Sequence, residues 1–270
     1  MHGSFPFGQP NLVRPPRVSD TATRVLVIGV YPSAMHVRWW RPDHVGRRPT
    51  VSALAVDVEP VVFWDGESPS PHDLLNTWKD SVGFTDDWGR VEPGMNGPSG
   101  RALETEYLEA LGATPSNTSY TDLIPWFFVK SGVGSQGAAI TERFDPWAAQ
   151  YGAPTSSLPR RPTPKQLVGL LEPSGRRESL RDEIISINPD TILTLGQEAL
   201  DGLRVASDEC RPAQERLAPD DRYGRSGSAT IANHEFEFMA TAHPGLLRQT
   251  RRTDWRSAHQ SWADRQRNAR

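Results

Sequence analysis

The sequence of 270 residues contains a single cysteine, Cys210, and this scarcity excludes several classes of site. One thiol cannot form an internal disulfide, and it cannot supply the four thiolates of a zinc or iron–sulfur centre. The histidines show no HExxH or comparable spacing, and no phosphate-binding loop of the GxxxxGK[ST] or GxGxxG type occurs. The absence of these loops argues against an unrelated nucleotide-handling enzyme. We expect a protein that uses neither a metal nor another cofactor.

Long apolar runs are also missing from the chain. No stretch approaches the roughly 20 residues of a membrane-spanning helix, and the N-terminus lacks the charged and then apolar pattern of a secretory leader. These absences predict a cytoplasmic protein without a membrane partner. The hydrophobic content of 36% suffices for one sizeable core. We expect an extended, proline-rich arm over residues 1–22 and a single domain over residues 23–270.

Charge is unevenly distributed along the chain. The formal net charge is −3, but residues 246–270 carry seven arginines against two aspartates, hence +5, which leaves −8 for the rest. A basic end on an acidic body suits contact with a polyanion. The alternative is a solvated helix with an arginine-rich face.

Apolar strands alternate with amphipathic helices. The patterns predict strands over residues 24–28, 51–63, 119–124, 191–195 and 234–242, and helices over 71–81, 100–111, 164–171, 178–187, from 197 and from 254. We interpret residues 29–49 as a long loop rich in Trp, Arg and His, and residues 130–164 as an irregular segment. The alternation predicts the α/β class, with a mainly parallel central sheet in a three-layer α/β/α sandwich.

Four short motifs follow one another along this pattern. They are GVYPS (29–33), YTDLI (120–124), PDTILTLGQEAL (189–200) and HPGLLR (243–248). Each includes or follows the end of a predicted strand, where α/β folds place their sites. In order and rough spacing the motifs resemble those of the uracil-DNA glycosylase superfamily over residues 24–250. The single cysteine separates the chain from the iron–sulfur branches of that family.

The resemblance implies an enzyme that flips a base out of DNA and stabilises it as it leaves the sugar. His243 would face the base carbonyl, although a histidine at a strand end can also be a helix cap. The resemblance assigns a duplex-inserting wedge and phosphate contacts to Leu246, Leu247, Arg248, Arg251 and Arg252. The same residues could instead begin an amphipathic helix. We expect a monomer whose partner is DNA.

The first motif would hold the base through Gly29, Tyr31, Pro32 and Ser33. Uracil-specific members of the family place a bulky tyrosine after the motif proline, against C5 of the pyrimidine. This chain has Ser33 at that position. A small side chain there leaves space for a substituent at C5.

The same motif lacks the family's acidic or amide residue and has Tyr31 instead. Tyrosine is a poor base near neutral pH, so the catalytic carboxylate must come from elsewhere. We assign it to Asp57, with Glu59 and Asp65 as reserves. The alternative is that Asp57 and Glu59 line the solvent face of an edge strand.

The second motif has Asp122 where the family has an asparagine that binds uracil. Ionised aspartate only accepts hydrogen bonds, so it would repel O4 of uracil and accept from the N4 amine of cytosine. Together with Ser33, it predicts a C5-modified cytosine, a class that includes 5-hydroxymethylcytosine and its glucosylated forms in phage DNA. The aromatic rings of residues 36–44 could bind an added sugar. The alternative for Asp122 is a capped turn.

The sequence thus leads to the hypothesis of a DNA N-glycosylase that leaves an abasic site in modified DNA, as in anti-phage defence. Two alternatives stay open. One is excision of uracil in base-excision repair, with Tyr31 tolerated. The other is a catalytically silent DNA-binding protein of the same fold.

Overall fold

The computed structural model describes residues 2–269, which contain nine strands. In chain order these are β1 (Val25–Gly29), β2 (Ala34–Trp40), β3 (Val51–Val58), β4 (Arg90–Pro93), β5 (Thr118–Asp122), β6 (Thr191–Leu195), β7 (Glu209–Arg211), β8 (Ser226–Ile231) and β9 (His234–Thr241). All five predicted strands are present, as β1, β3, β5, β6 and β9.

The helices are α1 (Pro71–Val82), α2 (Pro98–Ala102), α3 (Glu109–Leu111), α4 (Gln136–Ala139), α5 (Asp145–Tyr151), α6 (Pro164–Gly169), α7 (Arg176–Ile187), α8 (Gln197–Ala206), α9 (Pro244–Leu247) and α10 (Thr253–Asn268). Two π-helical segments, Leu103–Leu108 and Ile140–Phe144, join α2 to α3 and α4 to α5. Local chemistry sets helix ends. Before α1, the Ser70 side chain accepts a hydrogen bond from the Asp73 N–H, and Gly83 closes the helix with φ of 63°.

The chain divides into two compact units. The first unit comprises Met1–Arg14, Pro32–Gly100 and Trp126–Arg161, and the second comprises Pro15–Tyr31, Arg101–Pro125 and Pro162–Arg270. Each unit contains one sheet. The three-stranded sheet belongs to the first unit and the six-stranded sheet to the second.

The sheet of the second unit has the order β5-β1-β6-β9-β8-β7. β1 pairs in parallel with β5 and β6, and β6 pairs in parallel with β9. β8 pairs antiparallel with β9, and the edge strand β7 pairs antiparallel with β8. The side chains of Val25 to Ile28 in β1 are at most 2% exposed, as expected of a strand covered on both faces. The predicted α/β class with a mainly parallel sheet is confirmed.

The helices of the second unit pack in two groups. Helices α6 and α7 each contact α8, whereas α3 contacts α10. The crossover from β1 to β5 runs toward the β5 edge of the sheet, and the crossover from β5 to β6 runs back toward the β7 edge. Because parallel crossovers are right-handed, crossovers in opposite directions place their helices on opposite faces. Leu180 and Ile184 are the buried apolar residues of α7.

The sheet of the first unit corrects one prediction. Residues 29–49 do not form one long loop, because β2 occupies Ala34–Trp40 and pairs antiparallel with β3 and β4. Trp39 is fully buried and Trp40 is 6% exposed. The frequent Trp, His and Arg residues concealed the strand, since aromatic side chains pack well on a pleated surface while charged ones occupy its open face.

The N-terminal segment contributes to the core of the first unit. It has little regular structure beyond a short 3-10 turn at Pro6–Gly8, but Phe5 and Phe7 are at most 1% exposed. The Phe7 ring contacts the rings of Trp39, Trp78 and Phe144 at centroid distances of 4.7 to 6.2 Å. Aromatic pairs at such distances stabilise a core beyond their buried area. This segment is therefore integral to the unit.

Residues 130–164, predicted to be irregular, contain a helix that runs from α4 to α5. Its π-helical middle, Ile140–Phe144, disturbs the 3.6-residue periodicity that identifies a helix in sequence. The sequence also gave no signal for β7 or β8, which are short or rich in glycine and serine. None of the helices within residues 2–269 is long and apolar enough to cross a membrane.

Candidate functional site

The carboxyl ends of β5, β1, β6 and β9 meet at one edge of the second unit's sheet, because these four strands are parallel. The chain leaves β1 toward β5 and leaves β6 toward β9, so the strand order reverses between β1 and β6. Open α/β sheets bind their ligands at such a switch point. All four motifs have residues of the second unit at this edge, which makes it the candidate functional site.

The first motif enters the edge directly beside the second. Gly29 pairs with Asp122, and the pairing continues as the Leu123 N–H donates to the Gly29 carbonyl at 3.1 Å. The Ile124 N–H then donates to the Val30 carbonyl at 3.0 Å. Tyr31 follows and is half-buried. The sheet thus holds Gly29 and Asp122 in register.

Asp122 ends β5 with a residue exposure of only 5%. The side chain of its neighbour Thr121 bonds to Arg176 of α7, and Leu123 lies against Gly202 of α8. Because side chains alternate along a strand, the Asp122 carboxylate stands on the face of the sheet opposite to α7 and α8. A buried carboxylate at a strand end can read the hydrogen-bonding edge of a ligand.

Arg176 was not singled out from the sequence, yet it anchors this strand end. Its guanidinium is 5% exposed and donates to the carbonyls of Asp122 and Leu123 at 2.8 and 3.1 Å. It also donates to Glu183 Oε2 at 2.9 Å, which compensates its charge. In sequence, Arg176 resembles the solvated arginines around it. No spacing rule could have identified it.

Replacing Arg176 with methionine should destabilise the protein by about 3 kcal/mol, because the half-buried Glu183 carboxylate and two carbonyls lose their donor. Urea unfolding monitored by tryptophan fluorescence measures the change. The exposed Arg216→Met variant is the matched control and should lose less than about 0.5 kcal/mol. A loss below about 1 kcal/mol for Arg176→Met would contradict the anchoring role.

His243 follows β9 and caps α9. Its Nδ1 accepts a hydrogen bond from the Gly245 N–H at 3.0 Å, so the cap considered from the sequence is present. An acceptor Nδ1 carries no proton, and the proton of the neutral ring is therefore on Nε2. In this tautomer the donor of the His243 ring is Nε2–H.

The segment after His243 changes the prediction for the wedge. Leu247 is 4% exposed and belongs to the core, so the proposed role in a wedge fits only the half-buried Leu246. Exposed arginines follow at Arg248, Arg251, Arg252 and Arg256. Arg270, the last arginine of the basic end, lies outside the described residues. The exposed arginines form a basic segment that can contact phosphates.

Pro32, Ser33 and Asp57 belong to the first unit. Pro32 is buried, and Ser33 is exposed, with its carbonyl accepting a hydrogen bond from the Glu59 N–H at 2.9 Å. Glu59 is 7% exposed and its Oε1 accepts from the Gly97 N–H at 3.2 Å. Glu59 therefore does not lie on a solvent face, which removes that alternative for it.

Asp57 is half-buried at the end of β3. Burial raises the pKa of Asp57 to about 6. The hydrogen bond from the Val58 N–H, the charge of Arg14 and the hydrogen bond from Gln9 act in the opposite direction and lower it. Asp65, the other reserve, is half-buried and accepts from the Glu67 N–H at 2.8 Å. A pKa of about 6 suits Asp57 for proton transfer near neutral pH.

The expected sugar-binding surface at residues 36–44 is largely internal. His36 is half-buried, its side chain contacts Gln136, and burial lowers its pKa to about 4. The end of the segment lines a cavity of 570 Å³ through Trp40, Arg41 and His44, among other residues. Stacking on Trp39 is therefore excluded, because that ring is fully buried.

The fold and the edge define an α/β protein with a mainly parallel sheet and a candidate site at its switch point. The sequence matches no protein-family model and no curated protein.

Proposed function

We propose that the protein is a DNA N-glycosylase with a uracil-DNA glycosylase-like fold that excises a C5-modified cytosine. The observation that supports this most is the gathering of four sequence motifs at one edge of one sheet. The carboxyl ends of these parallel strands share an edge, so the residues that the resemblance assigns to a site lie at the place where α/β sheets bind ligands.

His243 supplies the donor that the reaction needs. When the bond between C1′ of the sugar and N1 of the base breaks, its electron pair leaves with the base. Negative charge then accumulates on N1 and on the only carbonyl oxygen of cytosine, O2. A neutral imidazole that presents Nε2–H stabilises this charge without giving up its proton.

Asp122 and Ser33 select the base in this proposal. The Asp122 carboxylate accepts from the N4 amine of cytosine and repels O4 of uracil or thymine. The small Ser33 leaves space at C5. An enzyme that accepted plain cytosine would destroy its own genome, so the C5 substituent must be required. Modified cytosines of phage DNA fit this requirement and suggest a role in anti-phage defence.

Asp57 is assigned the activation of water. The water oxygen forms the new bond to C1′, and its proton passes to the Asp57 carboxylate. The departing base takes up a proton, and an abasic site is left. Leu246 and the exposed arginines from Arg248 onward are assigned to the DNA duplex.

Substitution His243→Ala tests the proposal. We expect the single-turnover rate of abasic-site formation on a hydroxymethylcytosine duplex to fall by about 10²- to 10³-fold, because one donor to the developing charge is lost. Affinity for the duplex, measured by fluorescence anisotropy, should change little. Wild-type protein that binds the duplex but forms no abasic sites would identify a silent DNA-binding protein and refute the enzymatic proposal.

The excision rate should rise with pH through about 6, the value to which burial raises the pKa of Asp57. Only the carboxylate can accept a proton, so each pH unit below this value should lower the rate about tenfold. Single-turnover rates between pH 5 and 8 measure the profile. A rate independent of pH over that range would exclude Asp57 as the base.

A further inference from the structure

Two buried tyrosines hold the residue that precedes His243. The Tyr107 hydroxyl donates to the Ala242 carbonyl at 2.7 Å, and the Ala242 N–H donates to the Tyr223 hydroxyl oxygen at 2.8 Å. Both tyrosines are completely inaccessible to solvent. The ladders of β9 with β6 and β8 end at Thr241 and Met239, so the tyrosines supply partners that the sheet no longer provides.

The direction of the remaining hydrogen bonds follows from the first ones. Since the Tyr223 oxygen accepts from Ala242, its proton is available to His259 Nδ1 at 3.0 Å. An acceptor Nδ1 places the His259 proton on Nε2, which faces the Glu106 carbonyl at 3.3 Å. Burial lowers the pKa of His259 to about 4, which keeps the ring neutral as this arrangement requires.

Local structure brings these groups together. Glu106 and Tyr107 lie in the π-helical segment Leu103–Leu108, and such segments frequently occur at functional sites. The Tyr107 and His259 rings are 4.3 Å apart between centroids. Gly224 lets the chain after Tyr223 approach Trp262, since a Cβ there would lie 2.3 Å from Trp262 Cδ1. These close approaches pack the network against Trp262 and α10.

We infer that Tyr107, Tyr223 and His259 are positioning residues for His243. Peptide units are planar, so bonds to the Ala242 N–H and carbonyl fix the two planes that lead into His243. Pro244 restricts His243 from the other side, and the Gly245 N–H fixes its ring. Tyr107 and Tyr223 both bond to Ala242, and His259 bonds to Tyr223. Phenylalanines in place of the tyrosines would fill the same space without needing hydrogen-bond partners.

The inference rests on the proposed function for its kinetic test, which is a double-mutant cycle. Tyr223→Phe should lower the single-turnover excision rate about tenfold or more at unchanged duplex affinity, because a displaced donor loses its alignment. In a His243→Ala background the same substitution should have no further effect, since Tyr223 acts through His243. Tyr151→Phe, at an exposed tyrosine of the first unit, is the matched control and should leave the rate unchanged.

A second measurement does not depend on activity. Long-range ¹H–¹⁵N spectra of histidine-labelled protein should show His243 with an unprotonated Nδ1 and a single ring environment. In Tyr223→Phe the His243 signals should shift or broaden; Tyr107→Phe serves in the same way if the first variant does not fold. Unchanged His243 signals, or rate losses that add in the double mutant, would overturn the inference. Absence of excision in wild type would refute the proposed function alone, and the spectra would still decide the positioning role.

Discussion

Replacing Asp57 with asparagine should reduce the single-turnover excision rate by about 10²- to 10⁴-fold, the usual contribution of a general base. The amide has nearly the shape of the carboxyl group but cannot accept a proton from water. The pH profile should flatten in the same variant, because the titrating group is gone. Rates on a hydroxymethylcytosine duplex under excess enzyme measure both effects.

The same variant should be more stable than the wild type at pH 7.5. The pKa of Asp57 is raised by burial to about 6, so the folded state binds the proton more tightly than the unfolded state. Stability from this group is therefore present at low pH and is lost as the pH rises from about 4 to about 6. An uncharged side chain removes that penalty, and we expect a gain of about 1 to 2 kcal/mol.

Loss of activity together with a gain of stability would distinguish a functional carboxylate from a structural one. If Asp57 were a structural residue, its replacement would instead lower both the activity and the stability of the protein. Asp80→Asn, at an exposed position of α1, is the matched control and should change neither quantity. Full activity in Asp57→Asn would contradict the assignment and move the base to another residue.

Replacing Asp122 with asparagine should reverse the choice of base. An amide can donate to O4 and accept from N3–H, the edge that uracil presents, whereas the carboxylate only accepts. We expect excision of the modified cytosine to fall by roughly 10- to 100-fold and excision of uracil to become measurable, in line with the 1–3 kcal/mol that a base-edge contact contributes. Competition between the two substrates in one reaction gives the ratio directly.

The fold offers a control for this substitution. Asp190 precedes β6, is exposed, and lies at the opposite end of the parallel strands from Asp122. Asp190→Asn should leave the ratio of substrates unchanged. If Asp122→Asn also left it unchanged, Asp122 would be a structural residue, as in the capped turn considered from the sequence.

The parallel strands and their loops were predictable because burial on both faces gives a simple pattern. β1 and β6 are short apolar runs, each followed by a glycine or a polar loop, and their carboxyl ends must share an edge once the strands are parallel. The placement of Gly29, Asp122 and His243 at that edge followed from this pattern. The helices α1, α7 and α8 begin within two residues of their predicted starts.

Features built from long-range contacts could not be predicted in this way. β2 is rich in Trp, His and Arg and pairs with β3 and β4, and its pattern alone resembles a loop. Arg176 bonds to backbone carbonyls that are 53 or more residues away in the chain. Tyr107 bonds to a backbone group 135 residues away, and Tyr223 to one 19 residues away. Their importance arises from carbonyls and N–H groups, which are the same in every sequence.

The central claim is that a C5-modified cytosine is removed from DNA, and an excision assay across four duplexes tests it most directly. The duplexes carry uracil, cytosine, 5-hydroxymethylcytosine or glucosylated 5-hydroxymethylcytosine at one position, and abasic sites are revealed by strand cleavage with alkali. The account predicts cleavage of one or both modified duplexes and none at plain cytosine. Cleavage only at uracil, or at none of the four, would contradict it.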